Sequence, residues 1–296
     1  MSRERIAAGA AVGGALSVQV GAAVGATIFP LVGPAGVVAL RQAVAAIALL
    51  AVARPHLRRL HGSSVRPSVL LGLVLVVMNL TLYGAVERIG LGLAVTLEFL
   101  GPLAVALLGS RRRLDLACAV IAGTGVVLLT GTVPGLDPVG VLLGLIAAAA
   151  WAAYILLSQR AGRTLPGIGG TAVASLVAAI LTSPLLVIAL IGLAPQQLLH
   201  VAVVGLAAGI LSSALPYSID LIVLRWLPRP LFGVLQSVHP AAAAVAGLVV
   251  LGQSLGPWQI AGLVLITAGN AIAVGRAAPA AAPPAPLGTG EARALG

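Results

Sequence analysis

EFLGPLAVALLGSRRRLDLACAVIAGTGVVLL, residues 98–129, returns in outline as QSVHPAAAAVAGLVVLGQSLGPWQIAGLVLIT, residues 236–267. Each stretch has a proline about one turn into an apolar run, then a tract of small residues, a short connector and a second, Gly-bearing run. Pro102 matches Pro240. A second pair, GVVALRQAVAAI (36–47) and GGTAVASLVAAI (169–180), keeps the same order. The repeating unit is five apolar spans. Five is odd, so the second copy is inverted in a bilayer. Inverted repeats are a hallmark of secondary transporters, whose substrate sites lie near the midplane where the repeats meet.

Working outward, the apolar runs predict ten membrane-spanning helices near 7–29, 34–53, 68–86, 91–110, 114–131, 138–158, 169–192, 199–222, 230–250 and 257–275. Residues 7–131 form one five-helix half and 138–275 the other. The Pro/Ala-rich tail, 277–296, reads as disordered. Runs near 20 residues suit a hydrocarbon core of about 30 Å. Composition agrees: 60% of residues are hydrophobic and 8% charged, with a mean hydropathy of +1.13. A soluble surface needs roughly 25% charged residues. The apolar stretch from about Ile6 to Phe29 is too long for a signal peptide and reads as the first span.

The net charge of +10 does not indicate nucleic acid, because the arginines sit in short clusters between apolar runs. With the N-terminus in the cytoplasm, 15 of the 17 basic residues fall on that side; the exceptions are Arg88, outside, and Arg41, inside a span. That asymmetry is the positive-inside signal, and it puts both termini in the cytoplasm. Every basic residue is Arg, so Walker A, Schiff-base and Ser–Lys chemistry are excluded. The single Cys118 excludes a disulfide within the chain and a Cys-based zinc site. HExxH, GxSxG and paired intramembrane aspartates are absent too. Neither enzymatic activity nor a cofactor or metal is expected.

The fivefold halves and their motifs resemble the EamA fold of the drug/metabolite transporter superfamily. FPLVGPAGVVALR (29–41), LAVTLEFLGPLAVALLGSRR (93–112), AWAAYILLSQRAG (150–162) and ILSSALPYSIDLIVLRWLP (210–228) are similar to its bacterial threonine/homoserine exporters. The resemblance runs over nearly the whole chain. Two positions depart from it: the exporters carry Glu where His239 and Gln253 stand. The resemblance implies outward transport of small neutral amino acids across the bacterial inner membrane, driven by the proton-motive force. The alternative is export of another small metabolite or drug within the superfamily.

An ionisable group inside a span costs from about 2.5 kcal/mol upward, so each one is a functional candidate. Arg41 and Glu98 lie about seven residues from the external ends of their spans, roughly 10 Å deep at 1.5 Å per residue. Equal depth allows an ion pair. It also offers a cation for an amino acid's carboxylate and an anion for its ammonium. Pro102 leaves the Glu98 carbonyl without its helical partner. His239, beside Pro240, is a second candidate for proton coupling with Glu98. Asp220 lies near the cytoplasmic end of its span and suits a gating or structural ion pair. Gln19, Asn79, Tyr83, Tyr154, Ser213, Tyr217 and Gln236 are candidate pathway polar groups, with helix–helix bonding as each one's simpler role. Asn79/Tyr83 and Ser213/Tyr217 are i,i+4 pairs. The GAAVG motifs at 9–13 and 21–25 read as close-packing faces, which leaves a homodimer open.

Overall fold

The computed structural model describes residues 3–53, 62–107, 113–130, 135–164, 169–216, 219 and 236–276. Among them there is no strand. In chain order the helices are α1 (Arg3–Ala26), α2 (Phe29–Ala53), α3 (Gly62–Ile89), α4 (Leu91–Glu98), α5 (Leu100–Leu107), α6 (Arg113–Thr130), α7 (Pro138–Thr164), α8 (Gly169–Leu190), α9 (Pro195–Gly209), α10 (His239–Leu251) and α11 (Pro257–Arg276). A π-helical turn, Ile210–Ala214, continues α9. Among the described residues, six helical stretches are long and apolar enough to cross a membrane: 9–26, 29–53, 65–89, 138–158, 169–190 and 195–214.

Glycine and proline set the breaks. Gly33 takes φ 66°, a left-handed conformation that glycine adopts without steric cost. Pro34 then opens the straight part of α2, where its missing N–H has no helical partner to lose. The run expected as one span at 91–110 is divided at Phe99. α10 begins at His239, with Pro240 in its first turn. Both repeat prolines thus open a helix after a break, rather than sitting one turn into a continuous one.

Close approach holds the helices together. A Cβ added to Gly72 of α3 would lie 2.7 Å from the Ala174 carbonyl of α8. One on Gly209 would lie 2.6 Å from Val44 of α2, and one on Gly125 of α6 2.8 Å from the Gly262 carbonyl of α11. Such contacts are what packing in lipid relies on, where apolar burial between helices gains little. The GAAVG at 21–25 packs in this way. Gly9 and Gly13 face nothing within 4 Å among the described residues, while Ala11 between them is fully buried.

Helix neighbours fall into matching sets. α2 lies on α8, α4 on α10 and α6 on α11. α3 touches α7 and α8, while α9 touches α1 and α2; α4 touches α7, while α10 touches α1. The main core gathers Ile28, Val37, Val38, Tyr83, Leu91, Leu97 and Val201. A smaller cluster joins Leu71, Leu75, Ala161, Ala174 and Ala178. Large apolar side chains such as Ile47, Ile188 and Val249 point outward.

Candidate functional site

Arg41 is carried into the interior by α2 and is 9% exposed. Its Nε donates to Ser212 Oγ at 2.7 Å, and one terminal nitrogen donates to Asn79 Oδ1 at 3.3 Å. The guanidinium carbon stands 4.8 Å above the Tyr83 ring, a cation–π contact. Asn79 and Tyr83 are one turn apart on α3, so the i,i+4 spacing delivers both to the same cation. The Asn79 amide donates to the Leu75 carbonyl at 2.8 Å, which turns its oxygen toward Arg41. A guanidinium has five N–H donors. The described residues occupy two of them.

Glu98 ends α4 and is 6% exposed. Arg41 is the charge that acts on it, yet the ion pair that equal depth allows is not made. Arg41 gives its donors to Ser212 and Asn79 instead. Among the described residues Glu98 has no hydrogen-bond or ion-pair partner. Gln236 stands four residues before Pro240, as Glu98 stands four before Pro102. Its Oε1 is buried without a partner among the described residues.

The two helix breaks meet. The Phe99 ring stacks on the His239 imidazole, centroids 5.8 Å apart, and Trp151 of α7 lies edge-on to both rings. Gln19 of α1 approaches His239 Nδ1 with its amide nitrogen at 2.9 Å, while the Gln19 oxygen is buried without a partner. The Tyr83 hydroxyl is likewise buried and unpartnered among the described residues. Gln19, Arg41, Asn79, Tyr83, Glu98, Gln236 and His239 therefore belong to the helices that meet at these breaks or to their immediate neighbours.

Other expected residues stand elsewhere. Tyr154 packs with Leu71 and Leu75 in the smaller cluster. Ser213 is buried in the π turn. Tyr217 and Asp220 lie outside the described residues. Sequence reasoning passed over Ser212, Phe99 and Trp151. The Ser-Ser dipeptide in an apolar span was the available signal for Ser212, but only the π turn decides which of the two serines meets Arg41. No three His, Cys, Asp or Glu side chains converge among the described residues.

A separate cavity of about 360 Å³ opens at the other end of α4, lined by Glu87, Arg88, Gly90, Gln253 and Gln259 among others. Gln253 Oε1 accepts from the Leu91 N–H at 2.9 Å and so caps α4. Nearby, Arg88 donates to Asp137 Oδ2 at 2.6 Å. Asp137 also caps α7, accepting from Val139 N at 2.8 Å. The Arg88 hydrogen bond, aided by these backbone donors, holds the Asp137 carboxyl below its usual range.

The EamA-like transporter family matches residues 138–275. The chain is 41% identical over 259 residues to the threonine/homoserine exporter RhtA of Escherichia coli K12, covering 86% of each chain. RhtA of Salmonella typhimurium LT2 is equally similar, 41% over 259 residues and 86% of each chain. A protein crystal structure only 21% identical shares the fold, with a TM-score of 0.58 over 90% of this chain and 98% of its own.

Proposed function

The chain belongs to the EamA-like transporter family, and we propose that it exports small neutral amino acids of the threonine/homoserine kind across the bacterial cytoplasmic membrane. The observation that carries this reading is the state of Arg41 and Glu98. Both are buried, Arg41 is the charge that acts on Glu98, and the two make no ion pair. A zwitterionic amino acid supplies what the described residues do not, a carboxylate for the remaining guanidinium donors and an ammonium for Glu98. Gln236, Gln19 and Tyr83 add unpartnered polar atoms for the rest of the substrate.

The transport cycle in this proposal is proton antiport with alternating access. A proton arriving from outside neutralises Glu98, the ammonium loses its partner, and the amino acid leaves outward. The proposal includes ten spans in two inverted halves, 7–131 and 138–275. Its support is that helix neighbours pair up when the halves are exchanged: α2 with α8, α4 with α10, and α3·α7 answering α9·α1. The arginine bias supports cytoplasmic termini. In a Cys118→Ala background, Gly135→Cys should react with an impermeant maleimide from outside and Ser63→Cys only from inside. Labelling of Ser63→Cys from outside overturns the topology.

Counterflow in proteoliposomes tests the function. Labelled threonine or homoserine should exchange against unlabelled amino acid, and an inward proton gradient should accelerate net export. Absence of counterflow for both amino acids, from protein that remains monodisperse, overturns the reading. His239, where the family resemblance of the sequence implies Glu, favours export of another small metabolite as the second reading.

A further inference from the structure

We propose that Ser212, held in place by the π turn, is the positioning residue that aims Arg41 at the substrate carboxylate. This rests on the reading of Arg41 as the carboxylate's partner.

The turn closes with an i→i+5 bond, Leu215 N–H to the Ile210 carbonyl. One extra residue per turn is unfavourable in itself, and single π turns are found mostly where a function retains them. Here two neighbouring helices pin it. Ser17 of α1 donates its hydroxyl to the Leu211 carbonyl at 2.7 Å. Gly21 of α1 lies so close that a Cβ there would be 2.7 Å from the Ser212 nitrogen. Gly209, just before the turn, is pressed against Val44 of α2 in the same way.

The pinned turn fixes the hydroxyl of Ser212 at both ends. Its proton goes to the Ala208 carbonyl, which leaves the oxygen as an acceptor for Arg41 Nε at 2.7 Å. That bond holds the guanidinium by its inner nitrogen. The two terminal nitrogens form the fork that binds a carboxylate bidentately, and the long Asn79 contact restrains only one of them. In an α-helical register the extra residue is absent, and Ser212 rotates away by about 100°. The aim of Arg41 therefore depends on the π turn.

Ser212→Ala removes the acceptor with little change of volume. A hydrogen bond to a charged group is worth about tenfold to a hundredfold in an equilibrium, so the apparent KM for threonine counterflow should rise by about that factor. Maximal rate and acceleration by a pH gradient should stay within about twofold of the parent, and thermal unfolding in detergent should be unchanged. Ser17→Ala, which releases the turn but leaves Ser212, should raise KM in the same sense by a smaller factor. It also serves as the reporter if Ser212→Ala fails to fold. Unchanged KM in both variants, or a fall in rate at constant KM, overturns the proposal. Arg41→Gln separates the two readings. If it binds threonine normally, the reading of Arg41 itself fails; if it loses binding while the serine variants keep theirs, only the positioning role fails.

Discussion

Among the described residues, two arginine–carboxylate sets are built in opposite ways. At the C-terminal end of α3, Arg88 and Asp137 touch at 2.6 Å with side chains 43% and 30% exposed. In the interior, Arg41 and Glu98 are 9% and 6% exposed and do not touch. An exposed pair costs little to keep apart, because water solvates both charges. A buried charge without a partner costs several kcal/mol. The pair that needs contact least is the one that makes it. In the proposed function the substrate is the third group that the inner pair awaits, while the outer pair is a fastening between α3 and α7.

The largest effect is therefore expected from equalising the two helix breaks. Glu98→Gln gives the first break the same amide that Gln236 gives the second. The substrate ammonium then loses its counter-charge, and losing one partner of a buried charge pair costs about 2–5 kcal/mol. Export of threonine should fall by roughly two orders of magnitude or more, and a pH gradient should no longer drive it, while the protein still folds in the membrane. Purified Glu98→Gln protein that exports threonine in response to a pH gradient sinks the mechanism.

Arg41→Lys sharpens the comparison, because it keeps the charge and loses the fork. A lysine cannot reach Ser212 and a carboxylate in the same planar geometry. Apparent affinity should weaken at least as much as in Ser212→Ala, by about tenfold to a hundredfold, less than the loss from Glu98→Gln, with maximal rate less affected. Unchanged affinity would mean that only the sign of the charge matters at this position.

A smaller effect is expected at His239. The imidazole packs against the Phe99 and Trp151 rings, and its one polar contact among the described residues is Gln19. If Glu98 carries the proton, His239→Gln should cost a few-fold in maximal rate by disturbing that packing. The response to a pH gradient should survive. Loss of the pH response with retained counterflow would transfer coupling from Glu98 to His239.

These residues differ in how visible they were beforehand. Arg41 and Glu98 stand out because a charge in a 20-residue apolar run is a local, one-dimensional signal. Asn79 and Tyr83 follow from i,i+4 spacing, and α3 is regular enough to keep it. Helix ends followed Gly and Pro, as at Gly33–Pro34. What the sequence did not disclose depends on the third dimension. The meeting of Phe99 with His239 requires two breaks far apart in the chain to be neighbours. The choice of Ser212 over Ser213 requires a π turn, which has no composition of its own. The first GAAVG has the same letters as the second, but its two glycines meet no described neighbour within 4 Å.

The smallest effect belongs to the outer pair. Asp137 does two things at once, accepting from Arg88 and from the first N–H groups of α7. Asp137→Asn keeps an oxygen for the helix cap and removes the ion pair; Asp137→Ala removes both. Thermal unfolding should fall only slightly for Asn and further for Ala, with threonine counterflow unchanged in both. The pH dependence has a definite sign. The folded carboxyl titrates below its unfolded value, so its contribution is fully present above about pH 4 and is lost as pH falls through the lower folded value. The difference between parent and Asn variant should therefore be present at pH 7 and shrink on acidification below about pH 4. It should also shrink in high salt, since both groups are reached by solvent. A large loss of transport in Asp137→Asn would show that the outer pair takes part in the cycle, and the contrast between a fastening and an awaiting site would no longer hold.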